Sequence, residues 1–536
     1  MKILGIHASY NAINHDPSAC LMINGKIVTA IEEERCNRIK TSIGYFPYKS
    51  ISAILNSNNL KMKDIDLVVS SGLIYKPLKF KIKNSLINYF GYSPKIHIIG
   101  HPQAHIYGSY FSSGFKEALC ISMDALGDKV STLIYQATGG KFNELHRSGN
   151  SFQKESLGVF YAAFTEFLGF RRSEGEFKFM GMSAYGKKKI NLDDIISLNK
   201  DFKIKLNNKL TIENNMPITS TFEPMVNVEY LKKISNKRFV HKPTIEKKFS
   251  QKHFDLAYSI QKKYEEIFLS YVKKFKGNNN NICISGGCAL NCLANSYLLD
   301  LFENIYVMPA ASDRGLSIGN AYAGAVKNKI RTQKLNDMFL GIKYTKKEIL
   351  QSIKLTGVKY SIVNEYKSAA KDLKQKKIIA WFKGRSEFGP RALGARSILA
   401  LANIKNIKKQ LNAKVKFREK FRPFAPVMLY DFAKKNGIKR EFPYMTIANF
   451  PNKKLKKKLG DAIHKDGSTR IQTVKDKKHP LYKLLKNLEK KNQVLINTSF
   501  NTSGEPIVES PTDAIRTFFA SGIDVLYLES FRITKN

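Results

Sequence analysis

The chain has 536 residues, 43% of them hydrophobic, and a formal net charge of +45. That length accommodates about three or four domain-sized units, and that hydrophobic share excludes wholesale disorder. No apolar run reaches the roughly 18 residues of a membrane-spanning helix, which excludes a membrane span.

Chain order shows a weak internal repeat. KILGIH (2–7) reads as a buried strand, with no signal-peptide core at the start, which predicts a cytoplasmic location. A polar loop, ASYNAINHDPSA, follows. CLMINGKIVTAIEEER then reads as a hairpin turning at Asn24-Gly25. The pattern recurs from residue 117: EALCISMD is a strand, ALGDKV a polar loop with Gly127, and STLIYQATGGKFNELHR a hairpin turning at Gly139-Gly140. Strand, loop and hairpin, twice over, is the pattern of a duplicated nucleotide-binding fold, in which two loops pinch a phosphate chain.

Between the repeats, KIHIIG (95–100) reads as a strand and HPQAH (101–105) as a helix start, with Pro102 in the first turn. His101 and His105 then share one face. Taken alone, the pair reads as buried core histidines. With further ligands it reads as a site for iron, zinc or another borderline metal. Asp124, at a strand end, and Asp313, in the later loop ASDRGLS, are the candidates for those ligands. Gln103 and Ala104 fill the middle, so there is no H-E-x-x-H base.

Further on, residues 190–250 are rich in lysine and asparagine and read as a variable insertion. NNICISGGCALNCLANSYLLD (280–300) is a buried strand running into Gly286-Gly287 and a helix-like segment. Glycines there permit close backbone approach to a ligand, and a helix N-terminus favours an anion. Cys283, Cys288 and Cys292 match no common zinc spacing and, with Cys20, Cys36 and Cys120, read as reduced thiols. Lysine runs such as GKKKI (186–190) and NKKLKKKLG (452–460) lack interleaved aromatics and read as solvated faces. A nucleic-acid partner is the weaker reading of the charge, and anionic small substrates profit from the same field.

The C-terminal half sets Lys383, Arg385, Arg391, Arg396, Lys416, Arg418, Arg422 and Arg470 among glycines and prolines. Arginine's planar fork grips phosphate oxygens in two places, so this pattern predicts an anion site rather than a solvated face. Near the N-terminus, HDPS offers His15 and Asp16 for positioning or proton transfer, or simply as a turn cap. Lys178, in GEFKFMG, either touches phosphate or acceptor or lies exposed.

These motifs together resemble the O-carbamoyltransferase family that includes the nodulation-factor and tobramycin carbamoyltransferases. The resemblance rests on EEERCNRIK (32–40), HPQAH, GEFKFMGMSAYG (175–186), ISGGCALN (284–291), ASDRGLSIGNA (311–321), GRSEFGPRALGARSIL (384–399), FREKFRPFAPVML (417–429), DGSTRIQTV (466–474) and NTSFNTSGEPI (497–507). It implies an α/β chain. A duplicated actin-like, or sugar-kinase-like, domain of the ribonuclease-H class would span 1–345, and a YrdC-like domain with a twisted mixed sheet 346–536. It also implies a divalent metal, commonly Fe2+ with Zn2+ or Mn2+ as alternatives, on His101, His105, Asp124 and Asp313. Gly127, Gly286, Gly287 and Asn291 would contact nucleotide in the first domain. KGR (383–385) and SFN (499–501) resemble the K-x-R and S-x-N pair of YrdC-type enzymes, adding Ser499 and Asn501 to the second site.

The activity so implied starts from carbamoyl phosphate and ATP, with Mg2+. A carbamoyl-adenylate forms in the second domain and passes internally to the first, where a hydroxyl of a sugar or glycosylated small molecule is carbamoylated. Departures from the family pattern are Ala125 after Asp124, Ala395 before Arg396, and ALANIK (400–405), which lacks an acidic-Pro-Arg segment. A tRNA-modifying threonylcarbamoyl enzyme and a non-catalytic actin-like ATP-binding module are the alternatives. A homodimer stays open.

Overall fold

In the computed structural model, residues 1–10, 15–149, 155–207, 249–488 and 493–535 are described. Most of the 190–250 insertion therefore lies outside the described residues.

The first strand, β1 (Lys2–His7), is almost wholly buried, as expected for an apolar run with β-branched residues. β2 (Ser18–Ile23) and β3 (Lys26–Glu32) form the antiparallel hairpin beside it. Its turn residues Asn24 and Gly25 have φ of 48° and 79°, both positive, as a two-residue type I′ turn requires. β4 (Leu67–Ser71) and β5 (Lys95–Ile99) extend the sheet in parallel on the other side, giving the order β3-β2-β1-β4-β5.

The second half repeats this topology. β6 (Glu117–Gly127), β7 (Val130–Thr138) and β8 (Lys141–Ser148) are antiparallel, and β11 (Asn281–Ser285) and β12 (Asn304–Val307) add in parallel. The order β8-β7-β6-β11-β12 matches the first sheet strand for strand. Gly139 and Gly140, at φ 59° and 81°, make the second hairpin turn. Between these strands, β9 (Ile196–Leu198) and β10 (Ile204–Leu206) form a small separate pair. The duplicated fold expected from the repeat is present.

One detail differs. ALGDKV is not a loop: β6 runs on to Gly127, which pairs with Val130 across a tight turn at Asp128 and Lys129. The β6–β7 register shifts between Met123 and Gly127. Such a bulge frees residues from the ladder and redirects their side chains, and Asp124 sits in it.

Two helices meet with almost no side chain between them. Helix His101–Ser113 follows β5, and helix Leu316–Lys327 is buried along nearly its whole length. A Cβ added to Gly319 would overlap the Ala104 carbonyl oxygen, and Gly108 lies opposite Gly319. On its other side the second helix lies on β1, where a Cβ at Gly5 would overlap the Ser317 carbonyl oxygen. The Asn320 side-chain amide donates to the Ile6 carbonyl (2.8 Å), tying helix to strand.

The chain divides into two compact units, Met1–Glu33 with Thr41–Asn336, and Glu34–Lys40 with Asp337–Asn536. The second is built on an eight-stranded mixed sheet. Its strands are β13 (Ser361–Ile362), β14 (Ile379–Phe382), β15 (Arg396–Leu401), β16 (Ala425–Leu429), β17 (Gln472–Val474), β18 (Leu495–Ser499), β19 (Val525–Leu528) and β20 (Phe531–Thr534). They are ordered β13-β20-β19-β14-β15-β18-β16-β17. Trp381, Leu399, Val427, Leu495 and Tyr527 form its core. Glu34–Lys40 belongs to this unit: Arg35 donates to the Gly389 carbonyl (2.9 Å), and Arg38 to the Pro506 (2.8 Å) and Ile507 (2.6 Å) carbonyls.

Gly319→Ala should destabilise the protein although alanine is the better helix former by about 1 kcal/mol. Overpacking against backbone costs about 1–3 kcal/mol. Gly324→Ala, which would press only on the Ile3 and Val69 side chains, should cost less. Thermal and urea unfolding compare the two; an unchanged or raised midpoint for Gly319→Ala would refute the backbone contact.

Candidate active site

Four side chains from four places converge in the first unit. His101 and His105 lie in the first turns of their helix. Asp124 comes from the β6 bulge, and Asp313 from the short turn Asp313–Gly315 that precedes helix Leu316–Lys327. His105 Nε2 is 3.0 Å from Asp124 Oδ2 and 3.6 Å from Asp313 Oδ1. His101 Nε2 is 3.7 Å and 3.5 Å from the same two atoms. One ligand atom from each residue lies within 4.8 Å of all the others. His101 Nε2, His105 Nε2 and Asp124 Oδ2 are buried and face only one another and Asp313, with no hydrogen-bond partner outside this cluster. Buried polar atoms are rarely left so, and two imidazoles with two carboxylates suit a divalent cation. The donor set fits a metal.

The charges agree. Burial opposes ionisation of Asp124 and Asp313, but the facing histidines outweigh it and hold both carboxyls below the usual range. Burial likewise disfavours a charged His105, yet the two carboxylates push its pKa up to about 9. His7, at the end of β1, lies 3.6 Å from Asp313; burial, with His101 and His15 nearby, lowers its pKa to about 4.

The surrounding glycines leave room for these groups. A Cβ on Gly127 would overlap the His101 ring, and one on Gly287 would stand 3.0 Å from Asp124 Oδ1. Gly286 takes φ 84° directly against the Met123 carbonyl. The expected helix after Gly286-Gly287 is a correction: the segment is a 3-10 turn, Gly287–Leu290, then the five-residue helix Cys292–Ser296. Asn291 is turned inward. Its amide oxygen accepts from the Ala294 N–H (3.1 Å) and from Gln261 (3.0 Å), and its amide nitrogen donates to Gln261 (3.0 Å).

His15 and Asp16 stand together: His15 Nδ1 donates to Asp16 Oδ2 (3.2 Å). Asp16 is buried and paired with Arg314 (2.5 Å), next in sequence to Asp313, and accepts from Ser312 Oγ (3.2 Å). Arg314 and His15 overcome burial and hold the Asp16 carboxyl well below the usual range. Burial lowers the His15 pKa, but Asp16, with Asp313 and Asp124 adding, lifts it to about 9. Lys178 is half-buried, its ammonium 5.5 Å from the Phe170 ring centre. Sequence reasoning missed His7, Arg314 and Glu176. Burial raises the Glu176 pKa, and its charge also feels His15. The signals available were the histidine closing a buried strand and the arginine adjoining Asp313.

The candidate cations of the second unit separate into two sets. Lys383 binds Glu365 (2.8 Å) and Glu529. Arg385 donates to the Leu340 (2.5 Å) and Gly341 (2.8 Å) carbonyls. Arg396 is fully buried on the Phe382 ring, 3.5 Å from its centre. Arg391 is half-buried in the segment that folds over Glu387, whose carboxylate accepts the N–H groups of Leu393 (2.6 Å) and Gly394 (3.3 Å). The other set repels itself. Buried Lys416 donates to Ser499 Oγ (3.2 Å), Asn501 Oδ1 (2.7 Å) and the Asn501 carbonyl (2.9 Å), all neutral oxygens. Burial, with repulsion from Arg418, Arg422 and Lys40, drives its pKa well down. Arg418 is depressed by burial and by Arg422 and Arg470, and Arg470 keeps a buried nitrogen with no partner. Glu419, 3.8 Å from Arg422, and Glu505 offset part of this charge, but the four cations outnumber them, which suits an anion.

Comparison with known proteins now bears on the chain. Residues 74–322 match the model described as Carbamoyltransferase N-terminus and residues 370–535 that described as Carbamoyltransferase C-terminus. The chain is 32% identical to an uncharacterized protein of Synechocystis, across 99% of this chain and 96% of that one. It is 30% identical to nodulation protein NolNO of Sinorhizobium fredii, across 98% and 80%. Nodulation protein U of Sinorhizobium fredii is 34% identical over 44% of this chain and 42% of its own. Among solved structures, HypF of T. kodakarensis aligns with TM-score 0.36 at 12% identity, over 61% of this chain and 47% of that one. No helix among the described residues is long and apolar enough to cross a membrane. Matched by both halves of the family and by relatives along its whole length, the chain belongs to the carbamoyltransferase family and is a carbamoyltransferase.

Proposed function

We propose that the protein is an ATP-dependent O-carbamoyltransferase that carbamoylates a hydroxyl of a sugar or glycosylated small molecule. The observation that carries this reading is the convergence of His101, His105, Asp124 and Asp313, three of whose ligand atoms are buried with no hydrogen-bond partner outside the cluster. These four would hold the metal, with Fe2+ the first candidate. When bound, such an ion supplies a Lewis acid that polarises a carbonyl.

The chain's own residues do the rest. In the second unit, Lys416, Arg418, Arg422 and Arg470, with Ser499 and Asn501 fixing Lys416, bind the phosphate oxygens of carbamoyl phosphate and ATP. The anions offset the mutual repulsion of these cations. There carbamoyl phosphate gives up its phosphate to water as inorganic phosphate, and the carbamate so formed attacks the α-phosphorus of ATP, so that carbamoyl-adenylate forms and pyrophosphate leaves. AMP is the leaving group when the carbamoyl group passes to the acceptor hydroxyl. Lys383, Arg385 and Arg396 hold the β14–β15 region in shape around that cluster. In the first unit, Gly127, Gly286 and Gly287 let backbone approach the nucleotide closely. Asp16 orients His15 through Nδ1 and strengthens it as a base, and the imidazole in its neutral form takes the proton of the acceptor hydroxyl at Nε2. Asp16 itself, locked to Arg314, fixes the segment bearing Asp313. Lys178 steadies the acceptor side.

Three outcomes follow. His101→Ala with His105→Ala should lose bound metal, read by elemental mass spectrometry, and lose acceptor carbamoylation. Carbamoyl-phosphate-dependent pyrophosphate release should persist; intact metal content would end the metal assignment. Lys416→Met should do the reverse, removing pyrophosphate release with metal content unchanged. His15→Ala should keep both metal and pyrophosphate release but slow transfer about 10²-fold or more, and full transfer activity would remove His15 from catalysis.

A further inference from the structure

One face of the first unit is built for a partner that carbamoyl transfer does not call for. Leu73, Ile74, Phe80, Ile87, Tyr89 and Tyr92 leave 43–66% of their surface exposed, all within 20 residues. Soluble proteins rarely leave apolar groups so concentrated without use. From Leu73 to Lys95 the sequence has five lysines, Lys76, Lys79, Lys81, Lys83 and Lys95, and no aspartate or glutamate.

The face is rigid. Helix Leu78–Phe90 buries Leu78, Ile82 and Leu86 against the unit. Phe80, Asn84 and Ile87 therefore form an outer stripe, with exposed Lys76 and Lys83 beside it. Tyr89 is stacked on Tyr48 at 4.5 Å between ring centres, and Lys81 sits over the Tyr10 and Tyr75 rings. The apolar tip Leu73-Ile74 is held by Asp128, whose carboxylate accepts both N–H groups (3.0 and 3.2 Å) and also that of His101 (2.7 Å). The exposed tip and the histidine-bearing helix thus share one anchor.

An apolar stripe flanked by lysines and edged with tyrosines, with the Asp128 carboxylate at its tip engaged by three backbone N–H groups, is complementary to a surface that is oily within and negative at its border. Helix Lys453–Leu459 is the contrast: it carries five lysines but buries both its leucines.

We propose that the Leu73–Tyr92 face docks the protein on an anionic lipid bilayer. The proposal goes beyond carbamoyl transfer and stands or falls separately from it. The full chain should sediment with vesicles of equal parts phosphatidylcholine and phosphatidylglycerol and not with phosphatidylcholine alone. Phe80→Ser with Ile87→Ser, at an unchanged thermal midpoint, should cut binding about tenfold or more. Lys454→Glu, Lys456→Glu and Lys457→Glu together should change it less than about twofold. Phe80→Trp should show blue-shifted emission on the mixed vesicles. Three results would overturn the proposal. One is no sedimentation with the mixed vesicles. Another is binding that follows the 454–457 charges and ignores Phe80 and Ile87. The third is a Phe80-dependent dimer by light scattering in place of lipid binding.

Discussion

The first unit depends on one contact, the bare crossing of helix His101–Ser113 over helix Leu316–Lys327 at Gly319 and the Ala104 carbonyl. The first helix carries both histidines. The second begins three residues after Asp313. Any side chain at the crossing would part the helices and separate imidazole from carboxylate by more than a ligand sphere tolerates. Gly5 brings the second helix onto β1 in the same way, so the site is set by backbone packing rather than by side chains reaching inward. Asp16 and Arg314 add a buried ion pair that ties the loop after β1 to the Asp313 turn. Such a pair contributes position more surely than stability.

The two candidate sites are electrostatically incomplete in opposite ways. The first sets two carboxylates against histidines, with ligand atoms that have no hydrogen-bond partner outside the cluster. The second sets buried Lys416 on neutral oxygens, with half-buried Arg418, Arg422 and Arg470 adding charge that Glu419 offsets only in part. On the proposed reading each lacks what its ligands bring, a cation at one and phosphates at the other. The net charge of +45 is then background; the informative feature is where the positive charge is buried and unbalanced. Lys383 shows the difference, since its two carboxylate partners leave it nothing to recruit.

Much of this was legible in the sequence. Asn24-Gly25 and Gly139-Gly140 announce hairpins because few other residue pairs accept two positive φ angles, and the strand–loop–hairpin repeat announced the duplicated sheet. The i, i+4 histidines and both aspartates were readable as candidates and are brought together. What stayed hidden depends on contacts between distant segments. ALGDKV reads as a loop by composition, yet a bulge extends β6 through it. Asn291 reads as a ligand-facing residue by motif, yet Gln261, 30 positions away, takes its amide. Arg396 and Lys416 are both basic residues in similar surroundings, and only packing separates the one stacked on Phe382 from the one ringed by other cations.

The segment Glu34–Lys40 shows why sequence halves and folded units are different objects. The C-terminal family match begins at residue 370, and nothing in that span supplies Arg35 or Arg38. Yet Arg35 donates to the Gly389 carbonyl, within the loop that folds over Glu387, and Arg38 holds the Pro506 and Ile507 carbonyls beside its ion pair with Asp513. Unmade, these bonds would leave buried carbonyl groups without donors, each costing about 1–3 kcal/mol. The backbone marks the passage as well: Arg38, Thr41 and Ser42 all take positive φ, which non-glycine residues adopt only when their surroundings compel it. Thr41, already in the first unit, accepts the Asp16 N–H through its carbonyl (2.8 Å). Along the chain, three peptide bonds separate Arg38, in the second unit, from Thr41, in the first. A C-terminal piece cut where its motifs begin would lack Arg35 and Arg38, and with them the donors to these carbonyls, before it lacked any residue placed in its own candidate site.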